Sequence, residues 1–359
     1  MSKRNCVTVI GPTGSGKTSY LLGMYMALSG NGRRGISLSA VDKAVDLRFE
    51  KLWKNIRSGG QFPDTTDRSE IFQFNSSYSY KPLISFDWKD FPGGWLSSDD
   101  QEEHPEHIRE VVESVKESTS LLVVINGSEI CDQIESHIAR KRLHGKAVEQ
   151  DYLDAVVMPD DGYARSLTKI FNELNDESIP VPDVGVIVTK SDLIIDCIAS
   201  SCKDLDNCER IYQEAVKKLV KDWSSHSLCF ERIVVPMAVS IGNSIGERFV
   251  AHTQCVEQPI AFAVVNMLIE AATRLRKSIE NNRDYLNETS GFFSEWWNKN
   301  SRRVATENIS ALERELGERI NSAIKTVSSA FAESHIGYNG VAANSVYVHE
   351  YFRKKFESI

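Results

Sequence analysis

No two cysteines in this sequence stand at C-x-x-C spacing, and the seven present are an odd number scattered between Cys6 and Cys255. That excludes a disulfide framework and points to free thiols in a reducing compartment. Cys197, Cys202 and Cys208 form the only local cluster. It lacks a fourth ligand and tight pairing, so the expectation is no zinc and partly buried thiols. Positive charge is also in short supply: 42 Lys and Arg face 50 Asp and Glu, a net charge of −8. Direct nucleic-acid binding or a broad hold on anionic lipid is not expected. Long apolar runs are missing too. The longest, PIAFAVVNMLI at 259–269, is too short to span a bilayer and reads as a buried helix. The opening MSKRNCVTVIG carries no signal-peptide core, which leads us to expect a cytoplasmic protein without a transmembrane segment. Internal repeats and low-complexity linkers are absent as well.

What is present is an ordinary hydrophobic share, 41%, over 359 residues, more than one usual core needs. Short continuous apolar runs occur at 120–127, 183–192 and 230–240, as buried parallel strands require. The stretch 69–94 reads as a hairpin. Helical patterns at 104–118, within 129–156, at 162–175 and at 207–224 separate these runs. The fold class expected is α/β, a doubly wound and mainly parallel sheet with one antiparallel edge strand, followed by an all-helical C-terminal appendage. We expect a main domain over 1–284 with a helical insertion near 128–160, and a helical region over 285–359. In that last region Ile309, Leu312, Leu316, Ile320, Ile324, Val327 and Phe331 form a stripe, and Phe292, Phe293, Trp296 and Trp297 crowd together.

The stretch VTVIGPTGSGKTSYLLGMY, Val7 to Tyr25, breaks an apolar run with glycines and then resumes at helical spacing. It fits G-x-x-x-x-G-K-[ST] at every fixed position. The backbone through Gly11, Thr13, Gly14, Ser15 and Gly16 would turn successive N–H groups toward an anion, and the start of the next helix, with Ser19 in its first turn, would add its dipole. Lys17 would reach the β- and γ-phosphates and Thr18 would hold Mg²⁺, so the chain is expected to bind a nucleoside triphosphate. Further on stands DFPG, of the form D-x-x-G. Asp90 would hold the water shell of Mg²⁺, with Asp87 as the competing candidate, and the Gly93 N–H could approach a γ-phosphate unobstructed.

The third motif is VIVTKSDL, with Thr189, Lys190 and Asp192 after an apolar strand. Here the chain resembles the P-loop GTPases of the Ras-like and translation-factor class, whose [NT]-K-x-D motif reads guanine. A carboxylate accepts two hydrogen bonds from the guanine N1–H and exocyclic amine, a pair adenine does not offer. The resemblance implies that Asp192 selects the base, that Lys190 lies along it, and that the ligands are GTP or GDP with Mg²⁺. It also implies a switch threonine, either Thr65 or Thr66, which with Lys17 and Gly93 would act on the transferring phosphoryl group. A last guanine-side loop would fall at Ser240 and Ile241. Over about 1–270 the chain is similar to the double-GTPases of bacterial conflict systems, through its loop, its long segment before the switch and VEQPIAF; dynamin-like GTPases are the rival.

The glutamine that often follows D-x-x-G in small GTPases is replaced by Gly94, which cannot orient water. Arg57 and Arg68 flank the switch. The resemblance therefore implies a GTP-dependent switch with slow intrinsic hydrolysis and an effector or GTPase-activating partner; the Trp296–Trp297 pair points to the helical region 285–359 as the place where that partner or a second protomer docks, since aromatic anchors favour interfaces. A nucleotide-stabilised scaffold is the alternative.

Overall fold

A computed structural model describes residues 5–355 apart from 31, 60–61, 64–66, 98–102, 143–151, 153, 155–162, 177–181, 201–209, 212–213, 216–217, 219–233, 246–247, 251–252, 254, 289–298, 332–351 and 353. The strands are β1 (Cys6–Ile10), β2 (Ile36–Ala40), β3 (Glu70–Tyr78), β4 (Lys81–Asp90), β5 (Ser120–Asn126), β6 (Asp183–Thr189) and β7 (Val234–Ala238), with a separate hairpin of β8 (Asn243–Ile245) and β9 (Arg248–Val250). The helices are α1 (Lys17–Leu28), α2 (Lys43–Arg57), α3 (Pro105–Glu117), α4 (Gly127–Arg142), α5 (Tyr163–Asp176), α6 (Ser191–Ala199), α7 (Glu257–Glu288) and α8 (Lys299–Ala330).

Seven strands form one sheet in the order β2-β3-β4-β1-β5-β6-β7. From β4 to β7 the pairing is parallel throughout. The antiparallel strand is β3, which runs against both β2 and β4. It stands one place in from the edge, because β2 adds outside it. β2 and α2 fill most of the region between Gly35 and Gly59.

The strand alternation assigns side chains to two faces. Leu122 and Val124 of β5 join one core with Val7, Val9, Tyr20, Met24 and residues 260–265 and 267–269 of α7. Leu121, Val123 and Ile125 join the other with Val111, Val115, Ile134, Leu167 and Ile194. Every residue of β5 is buried, as a strand covered by helices on both sides must be. On the hairpin, Phe72, Phe74, Phe86 and Trp88 all turn to the first face, where Phe74 lies 5.8 Å from Phe86 and 5.5 Å from Tyr25 between ring centroids.

The run at 259–269 is a buried helical segment of α7, as expected. Val327 and Phe331 of the stripe, with Ala323 and Ala330 beside them, belong to the same core as β1 and α1. Ile324, by contrast, is 42% exposed. The boundary expected between 284 and 285 falls inside α7, and α8 packs along that helix. Phe292, Phe293, Trp296 and Trp297 lie outside the described residues. Among the described residues, no helix is long and apolar enough to cross a membrane.

Candidate functional site

The site gathers at the C-terminal ends of β1, β4, β5 and β6, where a doubly wound sheet leaves a crevice. β1 ends at Ile10 and α1 starts at Lys17, so six residues make the turn. Gly16 caps α1 at φ 87, in the left-handed region that a side chain would strain. No acidic residue occupies the first turn of α1, so its N–H groups keep their attraction for an anion.

Lys17 is buried, and its ammonium donates to the Gly11 carbonyl at 2.7 Å and the Pro12 carbonyl at 3.1 Å. Burial lowers its pKa to about 8, an effect that the charge of Asp90 partly opposes. Asp90, the last residue of β4, is 2% exposed, and burial pushes its pKa up to about 6 despite the nearby Lys17. The Thr18 hydroxyl donates to Asp90 Oδ2 at 3.3 Å, while Asp90 Oδ1 is buried without a hydrogen-bond partner among the described residues. A hydroxyl beside a carboxylate with an oxygen to spare is a hard oxygen set, which fits Mg²⁺.

Asp87 sits three residues earlier and accepts from Gln73 Nε2 at 3.1 Å on the exposed face of the hairpin. Asp90, not Asp87, thus adjoins Thr18 and Lys17. After Asp90 the chain enters a 3-10 turn, Gly93–Leu96, pressed onto the phosphate loop. A Cβ on Gly93 would lie 2.3 Å from the Thr13 nitrogen, so only glycine fits there. Trp95 then anchors the turn by stacking on His107 of α3, with centroids 4.1 Å apart and planes 4° apart.

Thr189 ends β6. Its hydroxyl donates to the Ser15 carbonyl at 2.6 Å and also lies 3.1 Å from the Ile125 carbonyl. It therefore ties the glycine-rich loop to the ends of β5 and β6. Lys190 caps α6 in the left-handed region at φ 51, and its ammonium reaches toward the Gly14 carbonyl and Ser128 Oγ, each at 3.4 Å. Asp192 follows in the first turn of α6, half-buried. Burial raises its pKa, and a hydrogen bond from Ser240 counteracts the rise. Two segments nearly 50 residues apart in sequence, Asp192 and Ser240, are thus brought together. Ile241 packs against α1 at Gly23, where an added Cβ would lie 2.5 Å from Ile241 Cγ2.

Thr65 and Thr66 lie outside the described residues. Arg57 and Arg68 are exposed. Ser128 and Asn126 escaped the sequence reading: Asn126 Oδ1 accepts from the Ser128 N–H at 3.1 Å and from its hydroxyl at 2.7 Å, shaping the turn under Lys190. The signal available was Asn-Gly-Ser at the end of an apolar strand.

No curated protein matches the chain. Among solved structures it is similar to a chain of the signal recognition particle receptor SRb-GTP/SRX complex from Chaetomium thermophilum, at 15% identity and TM-score 0.31, covering 69% of this chain and 96% of that one. The family profile Double-GTPase 2 matches residues 5–240, which runs from the strand before the phosphate loop to the serine that meets Asp192. With the phosphate loop, the D-x-x-G turn and the T-K-x-D helix converging on one crevice inside that span, the chain belongs to the Double-GTPase 2 family of P-loop GTPases.

Proposed function

We propose that this GTPase is a GTP-dependent switch with slow intrinsic turnover, hydrolysing GTP to GDP and phosphate and stimulated by a partner. The observation that carries the reading is the seating of Gly93 against the backbone of Pro12 and Thr13. A γ-phosphate held by that loop would act directly on the D-x-x-G turn, and Trp95 would pass the movement to α3. Gly94 offers no group to orient water, whereas Lys17 and the loop N–H groups can stabilise charge on the transferring phosphoryl. Mg²⁺, held by Thr18 and Asp90, would supply further charge neutralisation between the phosphates. Thr65 or Thr66 would close over it. The same reading includes a cytoplasmic role in a bacterial conflict system, with the helical region 285–359 as the docking place for an effector, an activating protein or a second protomer.

The test measures nucleotide affinity, phosphate release and mass with purified full chain. GTP is expected to bind far better than ATP, with turnover in the range of roughly 10⁻⁴ to 10⁻² s⁻¹. Asp192→Asn should weaken GTP binding on the order of 10- to 100-fold and relax the preference over adenine, since it removes a charged acceptor. Lys17→Ala should lose most phosphate-dependent affinity while remaining folded. Equal affinity for ATP and GTP would refute the guanine reading. Rapid turnover by the isolated monomer would refute the slow switch, no turnover at all would leave a nucleotide-stabilised scaffold, and a GTP-dependent rise in mass would reveal a self-assembling, dynamin-like GTPase.

A further inference from the structure

Cys131 and Cys197 are 66 positions apart, and the fold brings them together between α4 and α6. These helices follow the neighbouring parallel strands β5 and β6 and lie side by side on one face of the sheet. Glu135 stands one turn after Cys131 on the same side of α4, as i,i+4 spacing dictates. The two sulfurs and a Glu135 carboxylate oxygen all lie within 4.8 Å of one another. Loose sulfur contacts link them: the Cys131 thiol donates to Glu135 Oε1 at 3.9 Å, the Cys197 thiol to the Cys131 carbonyl at 3.9 Å, and the two thiols hydrogen-bond each other.

We propose that Cys131, Cys197 and Glu135 form a binding site for a thiophilic divalent cation of the zinc class, which staples α4 to α6. Zinc–sulfur bonds of about 2.3 Å put tetrahedral ligands roughly 3.5–4 Å apart, so a small inward rotation of the side chains completes the set. Cys197 is buried, Cys131 half-buried and Glu135 exposed, which leaves the solvent side for a water as fourth ligand. Thiolate donors select zinc over Mg²⁺ or Ca²⁺, so the site does not compete with Asp90 for magnesium. Burial raises both thiols, Cys197 to about 12, and neighbouring acidic groups raise them further. The cation binds with release of two protons: Zn²⁺ and two thiols plus one carboxylate give an anionic dithiolate–carboxylate complex and two H⁺. Cys202 and Cys208 lie outside the described residues; among the described residues, the partners of Cys197 in this set lie on another helix.

The experiment titrates Co²⁺, then Zn²⁺, into the full chain kept reduced with a non-thiol reductant and loaded with GDP and Mg²⁺. The expected result is thiolate-to-cobalt charge-transfer absorption that saturates at one ion per chain, is abolished by Zn²⁺, and is accompanied by a zinc-dependent rise in Tm. Cys131→Ser and Cys197→Ser should each eliminate the absorption, Glu135→Gln should raise the Kd on the order of tenfold or more, and Cys202→Ser/Cys208→Ser should leave it intact. No absorption in the unaltered chain overturns the site. So does absorption that survives both Cys131→Ser and Cys197→Ser, or that vanishes only with Cys202→Ser/Cys208→Ser. A mass loss of two hydrogens without metal uptake would show a disulfide pair and overturn it equally.

Discussion

Lys17 and Asp90 are buried charges whose protonation equilibria are both pushed toward the neutral form, which is what a site does when the compensating charges come with its ligand. The signs are informative. Asp90 has a folded pKa of about 6 against 3.8, so its contribution to stability is full below about pH 4 and is lost as pH rises through 6. Lys17 has a folded pKa of about 8 against 10.5, so its penalty holds at neutral pH and is relieved as pH climbs from 8 past 10.5. The Asp90→Asn variant of the nucleotide-free protein is therefore expected to melt higher than the unaltered chain. The advantage should grow from about pH 4 to 6.5, level off near 7, and amount to on the order of 2–3 kcal/mol at its plateau. Thermal melts of both proteins across that range check it, and an advantage independent of pH would contradict the burial argument. The same variant should lose the Mg²⁺-dependent part of nucleotide affinity.

Among the elements, the 3-10 turn Gly93–Leu96 is held in place by the lack of a side chain. Gly93→Ala would place a methyl 2.3 Å from Thr13 N and 2.5 Å from Pro12 C, both backbone atoms that cannot rotate away. The turn must then lift from the loop. Displacement of a catalytic segment by about 1 Å costs on the order of 10²-fold in rate, so phosphate release is expected to fall by that amount. The fold should persist, because Trp95, stacked on His107 and 5.8 Å from Phe91, is held from the other side. Circular dichroism with steady-state turnover tests this. Unchanged turnover would mean that the turn does not follow the loop.

At the scale of the whole molecule, α8 is part of the main core in spite of its distance in sequence. Arg34 Nη1 donates to the Ala330 carbonyl at 2.8 Å, Ser329 donates to the Arg34 carbonyl, and Phe331 is fully buried. Phe331→Ala is expected to cost about 3–5 kcal/mol, read as a shifted midpoint of one cooperative urea transition. An early separate transition would show instead that the helical region folds on its own. The sequence alone determined the phosphate loop, the buried strands and the order of the three nucleotide motifs, since each is a local pattern: fixed spacing of glycine, lysine and hydroxyl, or continuous apolar residues bounded by polar ones. It also fixed which of two aspartates is followed by glycine, and Asp90 is the one beside Thr18. Tertiary structure decided what depends on contacts between distant segments. It put β2 outside β3, joined Asp192 to Ser240, gave Thr189 the Ser15 carbonyl to hold, and brought Val327 and Phe331 of the C-terminal stripe into the central core while leaving Ile324 exposed. None of these has a local signature, because an apolar helix face specifies that it must be covered and leaves open by what, and a hydroxyl specifies a hydrogen bond without naming its partner.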